Sequence, residues 1–167
     1  MKKNSFLYLA LACFVGLIAI FVFDGYMGLY DNLHVTTAEY EQTIEADQWE
    51  LYENYKPSVD IAWGDKALFS YQINNRRFDS YDTTIQVSLW KEDDKILDLA
   101  TEDIAIGAFD ETQLEWELTT QDLEKVGLGI DNYTLKINQG DIERELIVRF
   151  YSTEDSSYPK PIPAPVR

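Results

Sequence analysis

The stretch TTQDLEKVGLGIDNYTLKI, residues 119–137, carries the most specific local pattern in the chain. A short helical turn is predicted around residues 122–126, and Gly127 and Gly129 end it. The apolar residues Tyr133, Leu135 and Ile137 then alternate with polar residues, which predicts a strand with one buried face. The stretch therefore predicts a helical corner that leads directly into a strand.

The same period-two alternation extends over residues 59–151, with turn-forming residues about every 8–12 positions, as in all-β domains. In residues 113–119, apolar side chains alternate with Glu115 and Glu117, so one face is predicted to be buried and the other hydrated. The candidate strands are residues 59–63, 66–74, 83–91, 95–100, 104–109, 113–119, 132–138 and 143–151. We therefore predict a mainly β fold, an antiparallel β-sandwich of about 7–8 strands.

The corner resembles that of immunoglobulin-like and fibronectin-III-like sandwiches, in which a Tyr entering the penultimate strand turns its hydroxyl back to nearby backbone. The resemblance covers about residues 57–151, and it implies that Tyr133 is the corner tyrosine and residues 143–151 the last strand. The cysteine pair of antibody domains is missing, since Cys13 is the only cysteine. It is a resemblance of fold, which implies no activity.

The N-terminal region contains 18 uncharged residues, FLYLALACFVGLIAIFVF, at positions 6–23. As a helix they would extend about 27 Å, close to the roughly 30 Å of a bilayer core. Lys2 and Lys3 precede the segment and Asp24 follows it, which places the N-terminus in the cytoplasm by the positive-inside rule. Lipidation of Cys13 after LALA, or cleavage of a signal peptide, remains as an alternative.

We therefore expect a single-pass cell-membrane protein with a retained signal-anchor helix in the lipid bilayer and an extracytoplasmic domain. The expected anchor residues are Phe6, Leu9, Phe14, Leu17, Ile20 and Phe23. The expected segments are a basic cytoplasmic N-terminus (1–5), a transmembrane helix with its interface (6–30), an acidic and aromatic stalk (31–56), an immunoglobulin-like sandwich (57–151) and a proline-rich extended tail (152–167).

The charge balance is strongly acidic, with 14 Lys and Arg against 30 Asp and Glu. Without Lys2 and Lys3, the expected external part has 12 against 30, a net charge of −18. A field of this sign repels polyanions, so we predict no nucleic-acid partner. It favours basic partners or cations, or it simply keeps the surface solvated.

Three groups of residues are candidate partner contacts. The segment NNRRFDSYD provides Arg76, Arg77, Phe78 and Tyr81, which are types that interfaces favour, unless Asp79 and Asp82 bind the two arginines in local salt bridges. Trp49, Tyr52 and Tyr55 are covered either by the base of the sandwich or by a neighbouring subunit. Pro159, Pro161, Pro163 and Pro165 predict a polyproline II tail, solvated or bound along a partner.

The sequence offers little material for catalysis. His34 is the only histidine, and the acidic loop residues lack the ordered spacing of a calcium-binding loop. We therefore predict no enzyme activity, cofactor or metal site. The predicted function is that of a non-enzymatic accessory or stabilising subunit of a membrane protein complex. The alternative is a free-standing surface module that binds carbohydrate, peptide or a cation, with Trp63, Trp90 or aromatic residues of the loops as the contact platform.

Overall fold

The computed structural model describes residues 13–16, 28–49 and 56–154. Helical structure in these ranges includes a 3-10 turn, Ala46–Trp49, and the helix α1, Thr120–Lys125. The strands are β1 (Leu29–Thr36), β2 (Glu41–Ile44), β3 (Ser58–Ala62), β4 (Lys66–Asn75), β5 (Tyr81–Lys91), β6 (Asp94–Ile106), β7 (Glu111–Thr119), β8 (Asn132–Gln139) and β9 (Ile142–Tyr151).

The strands form two sheets. One sheet has the order β2-β1-β4-β7 and is antiparallel throughout. The other has the order β3-β9-β8-β5-β6, in which β3 and β9 run parallel. The expectation of a purely antiparallel arrangement therefore fails at this one pair, where β3 lies at the edge of its sheet.

Both sheets bury one face in a shared core, because apolar residues alternate along nearly every strand. In β7 the apolar residues Leu114, Trp116 and Leu118 are buried, and the glutamates between them are exposed. Phe69 of β4 stacks on Trp116, with ring centroids 5.4 Å apart. The mainly β class is confirmed, and two sheets around one core are compatible with a β-sandwich.

A buried polar group links the two sheets. Asp31 of β1 accepts two hydrogen bonds from the Arg144 guanidinium of β9, each of 2.9 Å. Tyr71 of β4 donates to Asp31 over 2.7 Å and approaches Gln139 Oε1 of β8 at 2.9 Å. We call Asp31, Tyr71, Gln139 and Arg144 the inter-sheet cluster. Since Asp31, Tyr71 and Gln139 are buried and Arg144 is half-buried, the charges of Asp31 and Arg144 depend on one another for stabilisation.

The domain begins earlier than the sequence indicated. Residues 29–44, expected as membrane interface and stalk, form β1 and β2 within the first sheet. Leu33 and Val35 alternate into the core, and Tyr40 in the β1–β2 turn hydrogen-bonds the backbone of Asp60 in β3. The described residues therefore contain nine strands rather than seven or eight. This holds even though the candidate strands 95–100 and 104–109 are one strand, β6, which ends at Ile106.

The expected membrane helix requires a correction. Within the described ranges, no helix has the length and apolar character needed to cross a bilayer. The prediction of a single-pass, signal-anchored cell-membrane protein is wrong by this finding. Of the expected anchor residues, only Phe14 is described, in a helical turn at residues 13–16. Phe6, Leu9, Leu17, Ile20 and Phe23 lie outside the described residues. Leu29 and Tyr30, expected at the membrane interface, belong to β1 because they pair with Asn75 and Asn74 of β4.

The burial of Tyr40 predicts a loss of stability at alkaline pH. Burial raises the pKa of Tyr40 to about 12, against an ordinary value of about 10. The folded state therefore holds this proton more tightly than the unfolded state does. The resulting contribution to stability is complete below pH 10 and is lost as pH rises from 10 through about 12. Urea unfolding at several pH values should show this decline, and Tyr40→Phe should make it shallower. An equal decline of the free energy of unfolding in the wild type and in Tyr40→Phe would show that Tyr40 does not cause this pH dependence.

Candidate functional site

The β4–β5 loop, residues 76–80, lies at the end of the domain where β1 begins and where β4 and β6 end. Arg76, Arg77 and Phe78 are exposed there, and the Phe78 side chain is 71% exposed. Tyr81 follows at the start of β5 and is half-buried. These four predicted contact residues therefore lie together at one end of the domain.

Phe109 joins this group, although the sequence interpretation did not select it. It lies in the β6–β7 loop, is 59% exposed, and meets Phe78 edge to face with ring centroids 4.9 Å apart. Its φ of +58° is in the left-handed region, where a bulky side chain costs about 1–3 kcal/mol. The predicted strand 104–109 included Phe109. Gly107 and Asp110, which are turn-forming residues on either side of it, could have indicated from the sequence that this segment is a loop.

Asn75 holds the two loops together. This fully buried residue donates hydrogen bonds from Nδ2 to the carbonyl of Asp79 over 2.8 Å and to that of Gly107 over 2.9 Å. Its Oδ1 accepts from the backbone amide of Arg77 over 3.1 Å. One side chain thus fixes the β4–β5 loop against the β6–β7 loop, so the exposed aromatic residues have a defined backbone beneath them.

Both arginines contact aromatic rings. The Arg76 guanidinium lies 4.5 Å from the centroid of the Tyr30 ring, and that of Arg77 lies 5.7 Å from the centroid of Tyr81. The Tyr30 hydroxyl donates to Glu45, and this hydrogen bond raises the pKa of Tyr30. Within residues 28–49 and 56–154, neither arginine forms an ion pair, so the alternative salt bridges to Asp79 and Asp82 are not formed.

Three contact pairs thus meet at one end of the domain, because Arg76, Arg77 and Phe78 are consecutive in the β4–β5 loop. We call this group, which is partly exposed and partly half-buried, the aromatic–arginine surface. It consists of Tyr30, Arg76, Arg77, Phe78, Tyr81 and Phe109.

The other candidate contacts either pack against the core or lie outside the described residues. Trp49 ends the 3-10 turn and is half-buried against the core, so the domain itself covers part of its ring. Tyr52 and Tyr55 lie outside the described residues, as do Pro159, Pro161, Pro163 and Pro165.

Tyr133, expected at the corner, is buried in β8. It donates a hydrogen bond of 2.6 Å to the carbonyl of Gly129, four residues upstream. The preceding helix α1 begins with a capping box, in which Thr119 and Asp122 hydrogen-bond each other's backbone amides.

A pocket of about 610 Å³ lies at the opposite end of the first sheet. The exposed side chain of Leu68 contributes an apolar patch, and Lys66 and Glu117 form an ion pair of 2.8 Å in the lining. Thr36, Thr37, Thr119 and Thr120 also line it. In the described part of the chain, no three His, Cys, Asp or Glu side chains form a group able to hold a metal ion.

Comparison with known proteins gives no family. The sequence matches no protein-family profile and no curated protein. Solved structures do match, and those described below do so at low sequence identity and with TM-scores below 0.5.

Three of these structures illustrate the level of similarity. The alkylpurine DNA glycosylase AlkC of Pseudomonas fluorescens aligns with 55% of this chain and 27% of its own, at 8% identity and a TM-score of 0.43. A β-glucosidase from Listeria innocua aligns with 72% of this chain and 16% of its own, at 14% identity and 0.44. The β-glucosidase EmGH1 from Erythrobacter marinus aligns with 55% and 14%, at 10% identity and 0.42. Scores this low carry no argument about this chain.

Proposed function

We propose that this protein is a non-enzymatic interaction domain that binds a protein partner through the aromatic–arginine surface, as an accessory or stabilising subunit of a complex. The observation that carries the proposal is the exposed pair Phe78 and Phe109, whose side chains are 71% and 59% exposed. Interface contacts that contribute most of the binding energy are enriched in aromatic side chains and arginine.

The energetics of the free domain support this proposal. Removing a Phe side chain from water stabilises a protein by about 1.5–3 kcal/mol. Because Phe78 and Phe109 are exposed, the free domain lacks much of this stabilisation at both positions. It also holds Phe109 at a positive φ, and such strain is concentrated at functional sites. A partner that covers both rings would gain the apolar burial, and Asn75 reduces the entropy lost when the loops are ordered.

We also propose that the domain is an immunoglobulin-like or fibronectin-III-like sandwich. The strand neighbours support this, because β1-β4-β7 opposite β9-β8-β5 matches the neighbours A-B-E and G-F-C of that fold. The hydrogen bond from Tyr133 in the penultimate strand to Gly129 has the geometry of a tyrosine corner.

A second candidate function is a binding module for carbohydrate, peptide or a cation. The pocket near Leu68 favours it, because its volume of about 610 Å³ lies within the usual range for small-molecule sites and its lining combines hydroxyl groups with an apolar patch. A sugar or short peptide bound there would raise the thermal unfolding temperature of the protein.

The test of the first proposal is the double variant Phe78→Ala/Phe109→Ala. We expect it to weaken partner binding by roughly 30-fold or more, because two central aromatic contacts are lost. Partners would be captured from the native cells by cross-linking the full chain and identified by mass spectrometry. Affinity would then be measured with the purified partner.

Leu68→Ala is the matched control, because Leu68 is another exposed apolar residue at the opposite end. The proposal requires that this control bind as the wild type does and that all three proteins unfold at similar temperatures. Equal binding by the double variant and the wild type would refute the proposal. Loss of binding in Leu68→Ala alone would instead favour the pocket.

A further inference from the structure

We infer that the partner segment bound by the aromatic–arginine surface is acidic: it presents carboxylates to Arg76 and Arg77 beside an apolar side chain that packs on Phe78 and Phe109. This inference rests on the proposed function and adds the chemical class of the partner.

The distribution of ion pairs among the basic residues favours an acidic partner. The chain has more than twice as many acidic as basic residues, so a basic residue readily finds a carboxylate. Arg76 and Arg77 are the two basic residues in the described ranges that form no ion pair. The described basic residues that do form one are Lys56, Lys66, Lys91, Lys95, Lys125, Lys136, Arg144 and Arg149.

The positions of the Arg76 and Arg77 guanidinium groups also favour binding of a carboxylate. Each lies near a tyrosine ring, at centroid distances of 4.5 Å for Arg76 and 5.7 Å for Arg77. A ring contact restrains the side chain but does not use its N–H donors. Those donors form the planar fork that recognises carboxylates in a bidentate manner. Two guanidinium groups that each lie near a ring, and that have no carboxylate partner among the described residues, are therefore arranged to bind an anionic group at low entropic cost.

The two arginines lie close to the phenylalanine pair. Arg77 and Phe78 are adjacent in sequence, and the Phe78 ring contacts Phe109. The Asn75 side chain also accepts a hydrogen bond from the Arg77 amide, which fixes the backbone at this point. One segment that covers the phenylalanine pair would thus bring its neighbouring side chains to the guanidinium groups. The net charge of −16 repels such a segment at long range, so its recognition depends on these short-range contacts.

The experiment measures the binding of two fluorescent peptides to the full chain by anisotropy. One peptide alternates Asp or Glu with Phe and Leu, and the other has Lys at each acidic position. We expect the wild type to bind the acidic peptide at least tenfold more tightly. Arg76→Gln/Arg77→Gln should weaken that binding by at least tenfold, because the charge-assisted hydrogen bonds of both guanidinium groups to the carboxylates are lost.

The matched control is Lys66→Gln/Lys95→Gln, which removes the same two charges from exposed ion pairs away from this surface. It should change the affinity less than about threefold, since exposed pairs contribute little. Arg76→Lys/Arg77→Lys keeps the charge but loses the fork, so it should recover only part of the affinity.

The outcomes separate the two proposals. If Phe78→Ala/Phe109→Ala abolishes binding but the arginine variant binds normally, or if both peptides bind equally well, the acidic partner is refuted and the proposed function remains. If neither variant affects binding, both proposals fail. No binding of the acidic peptide at about 1 mM, a very weak affinity, also refutes the acidic partner. Growth of the particle size with protein concentration, lost in the arginine variant, would identify the acidic segment as part of a second copy of this chain.

Discussion

Replacing Arg144 by Met should lower the free energy of unfolding by about 3–5 kcal/mol, because it leaves the buried carboxylate of Asp31 without its cation. Asp31 is 3% exposed and accepts both of its guanidinium hydrogen bonds from Arg144. After the substitution, the Tyr71 hydroxyl is the donor that remains from the inter-sheet cluster. Urea unfolding at neutral pH measures the loss.

Lys66→Met is the matched control for this effect. Lys66 forms an ion pair with Glu117 at a similar distance, 2.8 Å, but its side chain is 69% exposed. We expect the control to cost less than about 1 kcal/mol, because water stabilises both separated charges. The double variant Asp31→Asn/Arg144→Met should regain a large part of the stability, because it removes the buried charge itself. A loss below about 1 kcal/mol in Arg144→Met would show that the buried charge is stabilised by other means.

The sequence predicts best where the pattern depends on one strand alone. The alternation of residues 113–119 placed Leu114, Trp116 and Leu118 on the buried face, as the structure has them. A strand that buries one face repeats with period two whatever its neighbours are, so its local sequence is enough to reveal it.

The failures occur where composition was interpreted without the sheet. Residues 101–103 are polar and acidic, and this composition predicted a break between the strands 95–100 and 104–109. Instead they continue β6 opposite β5, where Thr84 donates a hydrogen bond of 2.6 Å to Asp103. A polar run at a sheet edge faces water on one side and still pairs on the other, so polarity alone does not indicate a turn.

The sequence identified only part of the candidate site, for a related reason. Arg76, Arg77, Phe78 and Tyr81 are close together along the chain, so their composition drew attention. Phe109 is 31 positions from Phe78, and Asp31 is 113 positions from Arg144. Such contacts depend on the order of the strands, which local patterns do not encode.

Tyr133→Ala should lower the free energy of unfolding by about 3–5 kcal/mol, the usual cost of truncating a fully packed aromatic side chain. The ring is 2% exposed and meets Phe150 edge to face with centroids 5.9 Å apart. Tyr133→Phe keeps the ring and removes the hydrogen bond to Gly129, so it should cost only about 0.5–1.5 kcal/mol.

The comparison of these two variants measures what the hydroxyl of Tyr133 adds to the packing of its ring. If Tyr133 closes the corner between β7 and β8, Tyr133→Phe should also increase amide hydrogen exchange in residues 127–131, because the backbone there loses the bond that fixes it. Thr134→Val is the control, since Thr134 follows in β8 but faces away from the core. Unchanged exchange in Tyr133→Phe, even with reduced stability, would mean that the tyrosine packs the core without fixing the corner, and the tyrosine-corner support for an immunoglobulin-like sandwich would be lost.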